Sequence, residues 1–260
     1  MMKNTNLNLK SLQPRREHFK REITLLSGGY YNPAAFPGGK VTVYPWDSHI
    51  DSWFQERLRL PQKEYALWEA AEKVADLNKC PVRDMVMGDV WTILMVSKAI
   101  CNDCVVEYIA RCPHCERAEQ ASIRIPDELQ IQGKKTAEYP GFENITLPES
   151  KDVVTIRPLI VGDNIYILER TPEQRTKMSD MIAGILLTVK AVGGGTVDGV
   201  DEVLEWYNAL SPKDAEFLQK EQGRLHPQLD TRVHHKCENC SEKFSYDLEL
   251  NRDFFRAGER

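Results

Sequence analysis

The cysteines of this chain occur mainly in pairs, and this pairing limits its possible folds more than any other feature does. Six of the seven cysteines form three CxxC motifs: Cys101/Cys104, Cys112/Cys115 and Cys237/Cys240. A CxxC turn places two thiolates on one edge of a tetrahedron, so two such turns complete the coordination of one zinc ion. The sequence therefore predicts a structural metal site.

The second and third motifs have similar flanking sequences. RCPHCERAEQASIRI at 111–125 and KCENCSEKFSYDLEL at 236–250 each run from a basic residue through CxxC and a polar turn into an alternating strand. This similarity is typical of a zinc ribbon. It predicts that one zinc ion is bound by Cys112, Cys115, Cys237 and Cys240. Because four thiolates complete such a site, the nearby histidines are expected to be exposed: His114, His234 and His235.

The two motifs of this predicted site are separated by 121 residues. An insertion of this size is permissible, because the entropic cost of closing a loop grows only with the logarithm of its length. The alternative ligand set is Cys101 and Cys104 together with Cys112 and Cys115. Its weakness is that 105–111 is interpreted as a strand, which leaves little chain for the two motifs to face each other. If the distant pair is used instead, Cys101 and Cys104 are interpreted as buried cysteines at a helix end.

Hydrophobic periodicity predicts an α+β fold. Residues 1–45 are interpreted as an N-terminal arm and extended segment, and 46–260 as an α+β domain. Within that domain we expect helices at 61–79 and 89–101, zinc-ribbon halves at 105–126 and 231–250, and a helical insertion at 157–223.

Several boundaries within these elements have local signals. Asp89 is expected to cap the second helix. A strand is expected at 153–156, and one long helix from Pro172 to Val192, ended by the glycines at 193–195. The segments MVMGDVWTIL and LIVGDNIYIL, at 85–94 and 159–168, share a Gly-Asp helix start.

Charge and hydropathy narrow the possible partners. The formal net charge is −5 and the sequence pI is about 5.8, which disfavours broad attraction to nucleic acid phosphates. The polar and basic start shows no secretory signal, and no apolar run is long enough for a membrane span. We therefore expect a reducing cytosol during folding, no membrane partner, and no disulfides.

No motif in the sequence indicates an enzyme. An HExxH signature of catalytic zinc is absent, and the glycines at 193–195 lack the Lys-Ser/Thr of a phosphate loop. Aromatic residues outside strong helical periodicity are instead candidates for contacts with other proteins. These candidates are Tyr30, Tyr31, Trp46, Trp53 and Phe54, and packing in the core is the alternative interpretation for all five.

An ordered set of motifs extends beyond the cysteines. KVTVYPW, VMGDVWTILMVSKAI, VVEYIARCPHC, IRPLIVGD, VGGGTVDGVDEVLEWYNALSPKDAEFL and a terminal CENC with FFR follow one another between Val41 and Phe255. In this order they resemble the baseplate hub family of contractile-tailed, T-even-like bacteriophages. The presence of three cysteine pairs departs from the two-motif pattern expected of that family, and Cys101/Cys104 is the additional pair.

The resemblance implies a structural, non-enzymatic protein of the virion tail baseplate, present in the host cytoplasm during assembly. Its implied partners are the hub, tube, tape-measure and spike proteins. Two alternatives stay open. Some relatives are tail assembly chaperones, which are absent from the mature particle, and a zinc ribbon is also compatible with nucleic acid binding.

Overall fold

A computed structural model describes residues 19–100, 105–129, 131–132, 141–197 and 199–248. Within these residues helices alternate with several small antiparallel sheets, so the fold is α+β as the sequence predicts. None of the helices in these ranges combines the length and the apolar character needed to cross a membrane.

The N-terminal part forms a three-stranded sheet covered by helices. Its elements are β1 (Arg21–Thr24), β2 (Lys40–Val43), α1 (Ser48–Arg57), α2 (Ala66–Val74), β3 (Ala75–Asp76) and α3 (Met87–Ile100). The strands pair antiparallel in the order β1-β2-β3. Helix α3 is buried on nearly every side because its sequence is apolar nearly all round, and it forms the centre of the first hydrophobic core.

A hairpin follows α3. Strand β4 (Val105–Arg111) pairs antiparallel with β5 (Ala118–Arg124), and Cys112 and Cys115 lie in the turn between them. A short strand, β6 (Ile131–Gln132), comes after the hairpin.

The next part of the chain has a sheet and a hydrophobic core of its own. It contains β7 (Glu143–Thr146), β8 (Val153–Ile156), α4 (Val161–Glu169), α5 (Pro172–Lys177), α6 (Asp180–Thr188), β9 (Val189–Val192), β10 (Gly195–Thr196), α7 (Val200–Asn208) and α8 (Pro212–Leu225). The strands pair in the order β10-β9-β8-β7. Apolar residues of this sheet and of α6 to α8 form a second core, which includes Val154, Ile156 and Leu186.

The chain then returns to the first part. Strand β11 (Gln228–Leu229) pairs antiparallel with β6. A second hairpin follows, made of β12 (Arg232–Lys236) and β13 (Lys243–Asp247), with Cys237 and Cys240 in its turn. The pairing of β6 with β11 therefore brings the two ends of the intervening region together.

The two Gly-Asp segments contact each other. Val86 and Ile160, which occupy the same position in the two segments, form an isolated antiparallel bridge. The amide of Met87 donates to the carbonyl of Leu159 at 3.1 Å, and the amide of Val161 donates to the carbonyl of Met85 at 2.9 Å. The shared sequence thus corresponds to a local two-fold arrangement that joins the two parts of the chain.

Several predicted boundaries are wrong. The helix expected at 61–79 is limited to α2, because Gln62 adopts a left-handed conformation, a 3-10 turn follows, and β3 pairs with β2 from Ala75 onward. The helix expected from 89 begins at Met87. Asp89 therefore does not cap it, and its buried carboxylate instead accepts hydrogen bonds from the amide and hydroxyl of Ser27.

The long helix expected from Pro172 to Val192 is also wrong. Ser179 accepts a hydrogen bond from the amide of Ile182 and starts a new helix, and β9 pairs with β8. Gly193 and Gly194 have φ values of 59° and 84°, so these glycines form the turn between β9 and β10 and do not end a helix. The region expected to be a helical insertion at 157–223 consequently contains strands as well as helices.

Candidate metal centre

The structure brings together four cysteines that are distant in sequence. The sulfur atoms of Cys112, Cys115, Cys237 and Cys240 all lie within 4.8 Å of one another. Across the two hairpins, the Sγ of Cys112 lies 3.6 Å from that of Cys240, and the Sγ of Cys115 lies 3.5 Å from that of Cys237. The cluster combines the two pairs that share flanking sequence.

Each pair is held by the same backbone turn. In the first hairpin the amide of Cys112 donates to the carbonyl of Arg117 at 3.0 Å, and the amide of Glu116 donates to the carbonyl of Cys112 at 2.9 Å. Cys237, Ser241 and Glu242 repeat this pattern in the second hairpin, with both distances at 2.9 Å. Glu116 and Ser241 both adopt positive φ, at 59° and 60°. The two turns are therefore equivalent in conformation as well as in sequence.

Backbone amides point at the sulfur atoms. The amide of Arg117 hydrogen-bonds to the sulfur of Cys115, and the amide of Glu242 does the same for Cys240. Cys112 and Cys237 are almost completely buried, whereas Cys115 and Cys240 are half-buried. Hydrogen bonds from amides stabilise thiolates, which are the form of cysteine that binds metal.

The thiols differ in acidity. A hydrogen bond from the Asn239 side chain, followed by one from the Arg117 amide, lowers the pKa of Cys115 to about 6. For Cys237 the hydrogen bond from the Cys240 amide favours the thiolate, but burial and the neighbouring thiols prevail and raise the pKa to about 12.

The spacing of the sulfurs fits a tetrahedral metal ion. With zinc–sulfur bonds of about 2.3 Å, the sulfurs of a tetrahedral site are about 3.8 Å apart. The two measured cross-hairpin distances, 3.5 and 3.6 Å, are close to this value, and the other separations do not exceed 4.8 Å. The arrangement is therefore compatible with one four-coordinate ion.

A buried glutamate next to the cluster was not identified from the sequence. Glu119 on β5 accepts hydrogen bonds from the amide of Glu238 at 3.0 Å and from the thiol of Cys237 at 3.4 Å. His235 on β12 lies 3.0 Å from its carboxylate, and the hydrogen bond between them is the largest cause of a lowered Glu119 pKa. Glu119 thus links the hairpins, and the expectation that His235 is exposed is wrong because this contact half-buries it.

A ring contact supports the same pairing of hairpins. Tyr108 of β4 stacks on Tyr246 of β13, with ring centroids 5.4 Å apart and an interplanar angle of 14°.

His114 and His234 are exposed as expected.

The remaining cysteines lie apart from this cluster or outside the described residues. Cys101 and Cys104 fall outside the described residues. Cys80, in the segment that connects β3 to α3, is buried, and this burial raises the pKa of its thiol to about 11.

The five candidate contact residues have different environments. Phe54 is fully buried and Trp46 nearly so, and their rings meet edge to face, so both belong to the first core. Trp53 is half-buried, with the Lys73 ammonium 4.7 Å from its ring centroid. Tyr30 is 47% exposed.

Tyr31 belongs to an aromatic cluster that the sequence analysis did not find in full. It is half-buried and its ring meets Phe142 edge to face at 5.9 Å, while its hydroxyl donates to the carbonyl of Gly141. Phe142 is 52% exposed.

Comparison with known proteins identifies the family of this chain. The family model described as T4 bacteriophage base plate protein matches residues 77–256, which is more than half of the chain. The chain belongs to this family. The match confirms the resemblance of the ordered motifs to a T4-like baseplate protein, and it indicates a structural role in the tail baseplate of the virion, in association with other tail proteins. No curated protein and no solved structure matches this base plate protein.

Proposed function

We propose that this base plate protein is a non-enzymatic structural component of the baseplate hub, where it assembles with tube, tape-measure and spike proteins. The observation that carries the proposal is the family match, which includes α3, both cysteine hairpins and the whole region between them. The motif order from Val41 to Phe255 supports the more specific assignment to the hub.

A zinc ion is proposed as the element that stabilises this architecture. The hairpins have strands of seven and five residues, and an isolated two-stranded hairpin is at best marginally stable in water. A structural zinc in a small module contributes about 10–16 kcal/mol at neutral pH. Bound by Cys112, Cys115, Cys237 and Cys240, it would make the hairpins the two halves of a zinc ribbon and fix both ends of the intervening region.

The same ligand set argues for a structural metal. Catalytic zinc keeps one coordination position for water or substrate, with three ligands from the protein. Four thiolates that approach one another within 4.8 Å fill all four positions. A fully coordinated zinc has no position at which to activate water.

Tyr30, Tyr31 and Phe142 are proposed as a contact surface for a neighbouring tail protein. Tyr30 and Phe142 are about half exposed, and Tyr31 joins them through its contact with Phe142. Aromatic residues are enriched where protein interfaces bind most strongly. Trp53 is a second proposed contact, because this residue is only half-buried.

The proposed location is tested by mass spectrometry of purified particles combined with cross-linking. The expected result is that the protein is present in mature virions and cross-links to hub, tube, tape-measure or spike proteins. Absence from mature virions but presence in infected cytoplasm would contradict the hub assignment and favour a tail assembly chaperone. Salt-dependent binding to nucleic acid would favour the third function, a nucleic-acid-binding zinc ribbon.

The proposed metal is tested separately by X-ray absorption at the zinc edge of the full-length protein. The expected spectrum has four sulfur neighbours at about 2.3 Å. Fewer sulfurs, with nitrogen or oxygen completing the shell, would contradict a structural four-cysteine site.

A further inference from the structure

A cleft of about 500 Å³ lies between α3 and the segment that connects α8 to β12. One wall is apolar and consists of Met87, Trp91 and Met95, which occupy successive turns on one face of α3. The opposite wall is more polar and includes Asp230, Thr231 and Arg232. The cleft is separate from the metal centre and from the aromatic cluster of Tyr30, Tyr31 and Phe142.

The floor of the cleft is fixed by a close backbone contact. Gly88 lies so near the connecting segment that a Cβ atom at this position would be 1.7 Å from the carbonyl oxygen of Pro227. Leu229, two residues later, is buried in the first core, and β11 pairs with β6. The two walls therefore have a defined separation.

The last described residues of the chain lie beside this cleft. The amide of Leu248 donates to the carbonyl of Thr231 at 3.0 Å, and Thr231 lines the cleft. The residues that follow, 249–260, lie outside the described residues. Their sequence, ELNRDFFRAGER, contains two adjacent phenylalanines six and seven positions after Leu248.

We propose that the cleft is a binding site for this C-terminal segment, with Phe254 and Phe255 against Met87, Trp91 and Met95. Six extended residues span about 20 Å, which is ample for a site that begins next to Thr231. Methionine sulfur and aromatic rings make favourable contacts with phenylalanine. The family match extends to residue 256 and therefore includes both phenylalanines.

Charge also favours this occupant. Asp230 and Arg232 pair with each other at the polar wall, with Nε and Oδ1 3.2 Å apart. The two phenylalanines are flanked by Asp253 and Arg256, whose charges are opposite to those of Arg232 and Asp230 respectively. A segment with this pattern places its rings on the apolar wall while its charged residues face oppositely charged groups.

The test uses methyl NMR of the full-length protein labelled at the methionine ε-methyl groups. The variant is F254A/F255A, and Met181 is the internal control because it is exposed on α6 in the other part of the chain. Aromatic ring currents shift the signals of nearby methyl groups. The expected result is that the Met87 and Met95 signals shift in the variant while the Met181 signal does not.

A second measurement does not depend on any variant. In the unmodified protein, nuclear Overhauser effects are expected between the ring protons of Phe254 and Phe255 and the methyl groups of Met87 and Met95. The strength of these effects should not change on dilution. Unchanged Met87 and Met95 signals in F254A/F255A, together with no such effects in the unmodified protein, would overturn the proposal. Effects that disappear on dilution would also overturn it, because a second copy of the chain would then supply the phenylalanines.

Discussion

Gly88 gives the sharpest single-residue test of the packing between α3 and the segment after α8. A Cβ atom at this position would lie 1.7 Å from the carbonyl oxygen of Pro227, whereas real Cβ atoms essentially never come closer than 3.0 Å. Gly88→Ala therefore forces these elements apart by more than about 1 Å. Overpacking of this kind costs about 1–3 kcal/mol and sometimes more, and here the atom that must move is backbone.

Gly223 provides a matched control within α8. A Cβ atom there meets nothing within 4 Å, so Gly223→Ala only gains helix propensity. We expect Gly223→Ala to stabilise the protein by about 0.5–1 kcal/mol and Gly88→Ala to destabilise it by about 3 kcal/mol.

Urea unfolding monitored by tryptophan fluorescence measures both changes. Four of the five tryptophans, Trp46, Trp53, Trp68 and Trp91, belong to or pack against the first core, so the signal reports the part of the protein that contains Gly88. If Gly88→Ala unfolds with the same free energy as the parent, within about 0.5 kcal/mol, the close approach of Pro227 is refuted.

Three further predictions concern buried charges and the metal. Asp163→Ala removes the carboxylate that pairs with Arg157, whose side chain is only 8% exposed. It should lower the free energy of unfolding, measured by calorimetry, by about 3–5 kcal/mol. The control is Glu22→Ala, which breaks the exposed pair with Lys40 and should lower the free energy of unfolding by less than about 1 kcal/mol. Burial raises the pKa of Asp89 to about 6, so its folded form binds a proton more tightly than the unfolded chain does. The stability of the parent relative to Asp89→Asn should therefore fall by about 2–2.5 kcal/mol as pH rises from 4 to 7 in urea titrations, and no change with pH would contradict this. Chelation of zinc should remove amide exchange protection from the hairpins β4–β5 and β12–β13 before that of the sheet β7 to β10; equal loss in both regions would count against local tethering by the metal.

Much of the cysteine arrangement was predictable because it depends on local sequence. The CxxC turns and their alternating flanks specify two equivalent hairpins, and the sulfur atoms of both turns lie within 4.8 Å of one another. Glu119 was not predictable. It sits in an alternating strand like any surface residue, and only the pairing of the two hairpins buries it against His235.

Regular structure was predictable where one signal dominated. The apolar run of α3 and the strand at 153–156 agree with expectation to within about two residues. The predicted helix from Pro172 to Val192 failed because helical spacing of apolar residues continues across it. Ser179, a good N-cap residue, was the local signal for the break, and the β-branched Val189 and Val192 were signals for strand β9.

The boundary errors around α2 have a tertiary cause. Ala75 and Asp76 lie in helical register with the preceding residues, but they pair with Val43 and Thr42 of β2. The burial of Trp46 and Phe54, two of the candidate contact residues, also depends on tertiary packing. Their sequence positions show no strong periodicity, and only the packing of α1 against the first core reveals that both are buried.

The account depends most on one metal shared by the two distant cysteine pairs, and the zinc content of Cys237→Ser tests this most directly. The control is Cys80→Ser, which removes a buried thiol outside the cluster. We predict one zinc per chain in the parent and in Cys80→Ser, and loss of tightly bound zinc in Cys237→Ser, measured on the purified proteins by mass spectrometry of the metal. Full retention of zinc by Cys237→Ser would contradict the account and assign the metal to Cys101, Cys104, Cys112 and Cys115.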